Sequence, residues 1–288
     1  ATTATANSRV VDDVREQLGH GGHQVVTVRG SLARSSLRLG VLKLPYEETR
    51  VAWLVAHLGD FHGSGIIYTL TVAQAEDLAA LLAKHGYPVA AYTGRTEPAE
   101  REDLEARLRD NQVLALVATS ALGMGFDKPD LGFVIHLGAP SSPVAYYQQV
   151  GRAGRAVASA DVLLLPTPAD REIWHYFATA SMPDEAKASA VIEALASAGS
   201  PMSTAALEVV VDIRRARLEL LLKVLDVDGA VTRVRGGWAA TGAPWVYDRE
   251  RYARVAAARE REQQLMLDYV DTSGCRMAFL QQTLDDPE

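Results

Sequence analysis

The sequence predicts an α/β fold: a parallel sheet flanked by helices, then a smaller helical domain with a β-hairpin and a C-terminal helical segment. Three observations predict it. Between residues 37 and 180, short apolar runs alternate with amphipathic stretches, the pattern of strands joined by crossover helices. The runs at 113–118 and 132–137 are apolar throughout, as strands covered on both faces are. After residue 183 come three helical stretches and then two alternating runs that flank Gly236-Gly237, a two-residue hairpin signal.

Taken in order, a helix fits 8–18 and is ended by the glycines of 19–22, and 24–28 alternates as a strand. The first strand of the sheet is 37–44, followed by a helix over 47–58 that ends near Gly59. A buried strand covers 65–68. Thr71 N-caps a helix that keeps Val72, Ala75, Leu78, Ala79 and Leu82 on one face, and Gly86 stops it. A strand over 88–92 leads to Thr96, which caps a helix over 97–110 with Pro98 in its first turn. Strands 113–118, 132–137 and 160–165 complete the sheet. Ser142-Pro143 opens a short helix that ends in Gly151-Arg-Ala-Gly-Arg155, which places Arg152 and Arg155 on one helical face. Ligands of such sheets bind beyond the carboxyl ends of the strands, where Thr69, Thr93 and Thr119 fall.

Composition sets bounds. The chain has 288 residues, 48% of them hydrophobic, and a net charge of −7. Nucleic-acid binders are often basic, so contacts to phosphates are expected from local clusters rather than from a broad field. The single cysteine, Cys275, excludes a disulfide framework and points to a reducing, cytoplasmic setting, nucleoid-associated in a prokaryote. No apolar run is long enough for a membrane span, and no signal peptide precedes the first strand.

Residues 183–245 have the order of a winged helix: helices over 184–198 and 205–211, a third over 213–225 capped by Asp212, then the hairpin. The third helix carries Arg214, Arg215 and Arg217 in its first turns, and the hairpin carries Arg233 and Arg235. This is where such a domain meets duplex DNA. The plainer alternative is a salt-bridged face, since Glu219 stands four residues from Arg215 and from Lys223. Trp238 is placed either to stack on a frayed base pair or to pack in the hairpin's own core.

The chemistry concentrates in 113–155. The small-residue loop Thr119-Ser-Ala-Leu-Gly-Met-Gly125 lets backbone N–H groups approach a phosphate. Arg152 and Arg155 bring guanidinium forks suited to a polyphosphate. In their order and spacing, VATSALGMGFDKPDLGFVIH and YYQQVGRAGR resemble motifs V and VI of superfamily 2 helicases, specifically the RecQ family. GSGIIY and AAYTGR add to the likeness, which is close over about residues 1–180 and looser over the last 40.

The resemblance implies a RecA-like domain over 37–182, the second of two, preceded by a remnant of the first and a linker over 1–36. It implies a winged-helix-like domain over 183–245, then a helix and the start of a zinc-binding-type subdomain over 246–288. The activity implied is an ATP-driven 3′-to-5′ DNA helicase, with ATP and Mg2+ in the cleft between two RecA-like domains. Arg155 is then the arginine finger, with Arg152 beside it on the γ-phosphate. Gly125, Asp127, Gln148 and Gly151 line the nucleotide side, while Thr119 and Ser120, with Thr69 and Thr93, track DNA phosphates. DNA, as single strands and duplex junctions, and the first RecA-like domain are the partners implied. Cys275 stands where a first zinc ligand stands in the family, but one thiol cannot hold the metal.

No G-x-x-x-x-G-K-[ST] loop and no acidic Walker B strand occurs, so the chain alone is expected not to hydrolyse ATP. The sequence departs from the family at Gln149, where Glu is usual, and at Ala156-Val157, where Asp-Gly is usual. Its winged-helix stretch also precedes the cysteine, the reverse of the usual order, which suggests a divergent branch. Two alternatives stand beside this reading: another superfamily 2 translocase acting on RNA or protein–DNA complexes, and a non-enzymatic winged-helix DNA-binding module.

Overall fold

The computed structural model of the chain describes residues 8–19, 25–28, 30–123, 125–180 and 183–286. Two units are distinguished by contact density, residues 1–171 with 261–288, and residues 172–260.

In the first unit, helix α1 (Ser8–Leu18) precedes β1 (Leu37–Val41), α2 (Glu47–His57), β2 (Gly65–Thr69), α3 (Val72–Lys84), β3 (Val89–Tyr92), α4 (Pro98–Arg109), β4 (Ala115–Ala118), β5 (Phe133–Leu137), α5 (Pro143–Val150) and β6 (Ala160–Leu165). The strands form one sheet in the order β1-β6-β5-β2-β4-β3, with every pairing parallel. This is the parallel α/β arrangement predicted from the alternating pattern. All residues of β2, β4 and β5 are buried, which is why these stretches read as continuous apolar runs. Leu54, Leu58, Ile67, Leu78, Leu82, Val117 and Ile135 pack α2 and α3 onto the sheet. In register, Gly65 faces Phe133, and a Cβ on Gly65 would lie 2.2 Å from the Phe133 ring.

Local chemistry sets the helix starts. Thr71 and Gln74 make a reciprocal capping box at α3, and the Ser142 hydroxyl accepts from the Ala145 N–H with Pro143 in the first turn of α5. Helix α4 corrects the expectation of a Thr96 cap. Its N-cap position is Glu97, without a side-chain hydrogen bond, and the Thr96 hydroxyl accepts instead from the Thr93 N–H at 3.0 Å. Thr96 thus closes the loop after β3. The strand expected over 24–28 is also corrected where it is described: 25–28 have no regular structure, and Val26 and Val28 are 82% and 90% exposed. An alternating pattern makes a strand only when a neighbour accepts its hydrogen bonds. Gln24 lies outside the described residues.

The second unit starts within α6 (Asp170–Ala180) and continues through α7 (Glu185–Ser197), α8 (Thr204–Val211), α9 (Arg215–Val227), β7 (Val231–Val234) and β8 (Gly237–Ala240). Helices α7–α9 and the antiparallel hairpin β7–β8 follow the order predicted. Leu207, Ile213, Leu218, Leu222, Leu225, Val231 and Trp238 make one core. Asp212 does not cap α9: it ends α8 in the left-handed conformation at φ 48°, and α9 starts after Arg214. Aspartate tolerates that conformation better than most residues. The Glu208 carboxylate accepts from the Arg215 N–H in place of the expected cap.

Helix α10 (Arg249–Asp271) begins in the second unit and ends in the first, where α11 (Arg276–Thr283) follows. Its end packs into the sheet unit through Tyr269, whose hydroxyl is 3.2 Å from that of Tyr146. Cys275 stands exposed at the N-cap of α11. The residues present do not fit a zinc site: Cys275 is the sole cysteine, and no cluster of three metal-ligating side chains occurs among the described residues.

Candidate nucleotide and nucleic-acid interface

The parallel register sets the frame of the site. Tyr68, Ala118 and Tyr92 align across β2, β4 and β3, so the next residues, Thr69, Thr119 and Thr93, fall side by side at the carboxyl ends. All three are buried, at 5%, 8% and 2% exposure. Their hydroxyls serve local turns. Thr69 Oγ1 donates to the Thr71 carbonyl, Thr93 Oγ1 accepts from the Arg95 N–H, and Thr119 Oγ1 accepts from the Ala121 N–H. Such bonds shape the loops that follow the strands. Ser120, by contrast, is exposed at the start of its loop.

The arginines leave the helix on which the sequence had placed them. Helix α5 ends at Val150 with Gly151 as its C-cap, and 151–158 are turns and bends. Arg152 and Arg155 therefore do not share a helical face, because the chain turns away at Gly151 and they diverge. Arg152 turns inward: its Nη1 donates to the Phe126 carbonyl at 3.0 Å and its guanidinium meets the Tyr68 hydroxyl. Burial raises the Tyr68 phenol to about 12, against the opposing pull of Arg152. Arg155 faces outward, 44% exposed, and its Nη1 lies 2.8 Å from Asp127 Oδ1. Its Nε donates to the Gly151 carbonyl at 3.3 Å.

Of the residues predicted at the nucleotide side, Arg155 thus contacts both Asp127 and Gly151. Gly125 is an exposed turn residue next to Phe126, whose carbonyl Arg152 holds. Gln148 is exposed on the last turn of α5. An exposed guanidinium beside an exposed carboxylate can exchange that partner for phosphate oxygens, which accept the same fork. Arg152 has a different chemistry here, holding the loop before β5 to the loop after α5.

Sequence reasoning missed what lies beneath these loops. His136 is fully buried between the rings of Tyr68 and Tyr146, at 5.1 and 4.9 Å, and its Nε2 lies 2.8 Å from Gln149 Oε1. Burial lowers its pKa to about 4, so the ring is neutral at pH 7. Lys128 is buried as well, with Nζ 2.8 Å from Asp130 Oδ1. The short His-bearing strand and the alternation of charge at 127–130 were visible in the sequence, but not that these side chains turn inward.

In the second unit Arg214, Arg215, Arg217, Arg233 and Arg235 are all exposed. Arg215 pairs with Glu219 at 3.2 Å, as the salt-bridged alternative required. Arg233 lies over the Trp238 ring at 5.6 Å, and Trp238 is only 6% exposed. Trp238 thus packs in the unit's own core, which corrects the option of stacking on a base.

The family described as helicase conserved C-terminal domain matches residues 49–157. ATP-dependent DNA helicase RecQ of Bacillus subtilis is 32% identical over 170 residues, 59% of this chain and 28% of that protein. RecQ-like DNA helicase BLM of Xenopus laevis is 37% identical over 161 residues, 54% of this chain and 11% of that protein. Among solved structures, the Escherichia coli DEAD-box protein SrmB bound to RraA is 23% identical, with a TM-score of 0.45, over 50% of this chain and 84% of that one. The chain spans about a quarter of the length of the first curated relatives it matches, 24% and 25%. Through its parallel-sheet domain the chain matches a helicase conserved C-terminal domain and is similar, at 32% to 39% identity, to RecQ-type helicases.

Proposed function

We propose that the chain is the C-terminal part of a RecQ-like ATP-dependent 3′-to-5′ DNA helicase and supplies the arginine wall of its ATP site. The observation that carries this is Arg155, exposed on an anchored loop and paired with an equally accessible Asp127. In this reading Arg155 leaves Asp127 when ATP is bound and stabilises charge on the transferring phosphoryl group, a contribution of roughly 10³–10⁵ in rate. Arg152 is a supporting residue rather than a direct phosphate ligand, because its guanidinium already serves Phe126 and Tyr68. Gly125, Gln148 and Gly151 line the same wall. Mg2+ arrives with ATP.

The relatives named are DNA helicases, and DNA is the partner proposed. Ser120 and the loop amides after β2, β3 and β4 meet the tracked strand, while the buried threonines shape those loops. Arg214, Arg215, Arg217, Arg233 and Arg235 meet duplex phosphates. Such contacts give affinity without base specificity.

The test is an ATPase assay with single-stranded DNA, duplex DNA and RNA as activators. The protein carrying this chain together with a P-loop domain should be stimulated by DNA, and residues 1–288 alone should show no turnover. Stimulation by RNA alone favours the translocase alternative. Turnover by the isolated chain that survives repurification and depends on Arg155 would overturn the assignment of half a site.

A further inference from the structure

The backbone around Arg155 is fastened at three successive peptide planes. The Ala153 carbonyl accepts from Arg34 Nη2 at 3.1 Å, while the N–H of the same plane, on Gly154, donates to the Leu131 carbonyl at 3.2 Å. The Gly154 carbonyl accepts from the Ser36 hydroxyl at 2.6 Å, and that carbonyl shares its plane with the Arg155 N–H. On the far side, the Ala156 N–H donates to the Pro129 carbonyl at 2.7 Å. Gly154 itself has φ +70°, and a Cβ there would lie 2.7 Å from Ser36 Oγ and 2.9 Å from Leu37. Loop and strap are in direct contact.

The strap that supplies two of these donors, residues 31–36, is held in turn. The buried Tyr147 hydroxyl donates to the Leu32 carbonyl at 2.6 Å, and the Leu32 N–H donates to Asp286 Oδ2 at 2.7 Å. Asp286 is 8% exposed and also accepts from Gln281 on α11. The Ser36 carbonyl accepts from the Ala160 N–H, which fixes the strap to the start of β6. None of these groups faces a ligand in the proposed mechanism, yet together they settle the direction in which the Arg155 side chain leaves the backbone.

We infer that Ser36 is a positioning residue for the reaction, acting through the Gly154–Arg155 peptide plane, and that Tyr147 supports it through Leu32. The inference rests on the proposed role of Arg155. A mobile side chain on a fixed backbone reaches a transition state with less to reorganise, and misplacement by about 1 Å can cost as much as 10²-fold.

The test uses the ATP-hydrolysing protein that carries this chain, with Ser36→Ala and Tyr147→Phe made singly and together. Each single change should lower kcat on the order of tenfold while KM for ATP stays within about twofold, because the lost alignment matters in the transition state. The melting temperature should hardly move. The double variant should lose little more than the worse single one, because both act on one strap. Ser36→Thr, which keeps the hydroxyl, should recover most of the turnover. Single variants with wild-type kcat would overturn the inference, as would a loss of kcat that only follows a lowered melting temperature, the mark of simple destabilisation. An active wild type with an unaffected Ser36→Ala sinks this inference alone. A wild type without DNA-stimulated turnover sinks the functional reading and this inference with it.

Discussion

The sheet unit and the helix–hairpin unit present their arginines in opposite ways. Arg155 is one outward guanidinium on a backbone held at neighbouring peptide planes, with a single carboxylate, Asp127, beside it. In the helix–hairpin unit five predicted arginines are exposed, and of these five only Arg215 has an ion pair with a carboxylate, Glu219. The first arrangement suits a reaction in which one charge must be met at one place. The second suits a polyanion met at many equivalent places. The difference teaches that counting basic residues says little about mechanism: the backbone beneath a guanidinium decides whether it acts by geometry or by field. In a chain of net charge −7 a field has to be local, and these arginines are its local source.

The largest effect is expected at Arg155. Arg155→Ala in the ATP-hydrolysing protein should lower turnover by about 10³ or more while ATP and DNA affinities stay within a few-fold. Turnover close to wild type would mean that the outward guanidinium does no chemistry.

The next effect sharpens how the sheet unit is held together. His136 is neutral when folded, with its pKa lowered to about 4 by burial from an ordinary 6.5. As pH falls, the unfolded chain takes up the proton first, so the stability contribution is whole above pH 6.5 and declines towards about 4. The loss should be on the order of 3 kcal/mol, read from denaturant melts at pH 7 and pH 4. Most of it should vanish in His136→Phe. Equal pH dependence in both proteins would remove His136 as the cause.

A smaller effect tests the field. Arg214→Ala with Arg217→Ala should weaken duplex binding and flatten its salt dependence by roughly 1 per lost phosphate contact. An unchanged slope in a salt titration would mean that this surface meets protein instead. The smallest effect is expected at Asp127. Its pair with Arg155 is exposed, so Asp127→Asn should change folding stability by less than about 1 kcal/mol. A larger loss in a thermal melt would make Asp127 a structural residue rather than a partner Arg155 can leave.

Much of the fold was legible because its central strands are buried on both faces, so that β2, β4 and β5 read as continuous apolar runs. The α3 cap was legible because Thr71 and Gln74 stand at the capping-box spacing. The misreadings share one cause. At Thr96, Asp212 and Gly151 the sequence offers a residue suited to two neighbouring roles, and the choice between cap, turn and helix is made by partners distant in sequence. Trp238 follows the same rule, since Met202, which bridges to it, lies far upstream. At the site, motif spacing led to Arg155 and Asp127 and put both near Gly151. Nothing in the sequence marks Ser36, because a serine before a strand is ordinary and its acceptor lies 118 positions away.

The contact of Phe133 with the missing side chain of Gly65 bears on how this sheet can vary over evolution. The ring fills the space that a methyl group on its register partner would need, 2.2 Å away. The two positions behave as one allele: alanine at 65 is admissible only once 133 has shrunk, and a shrunken 133 leaves a void until 65 grows. Either order passes through a less stable intermediate sequence, so the glycine–phenylalanine pairing is a trap that single substitutions do not readily leave.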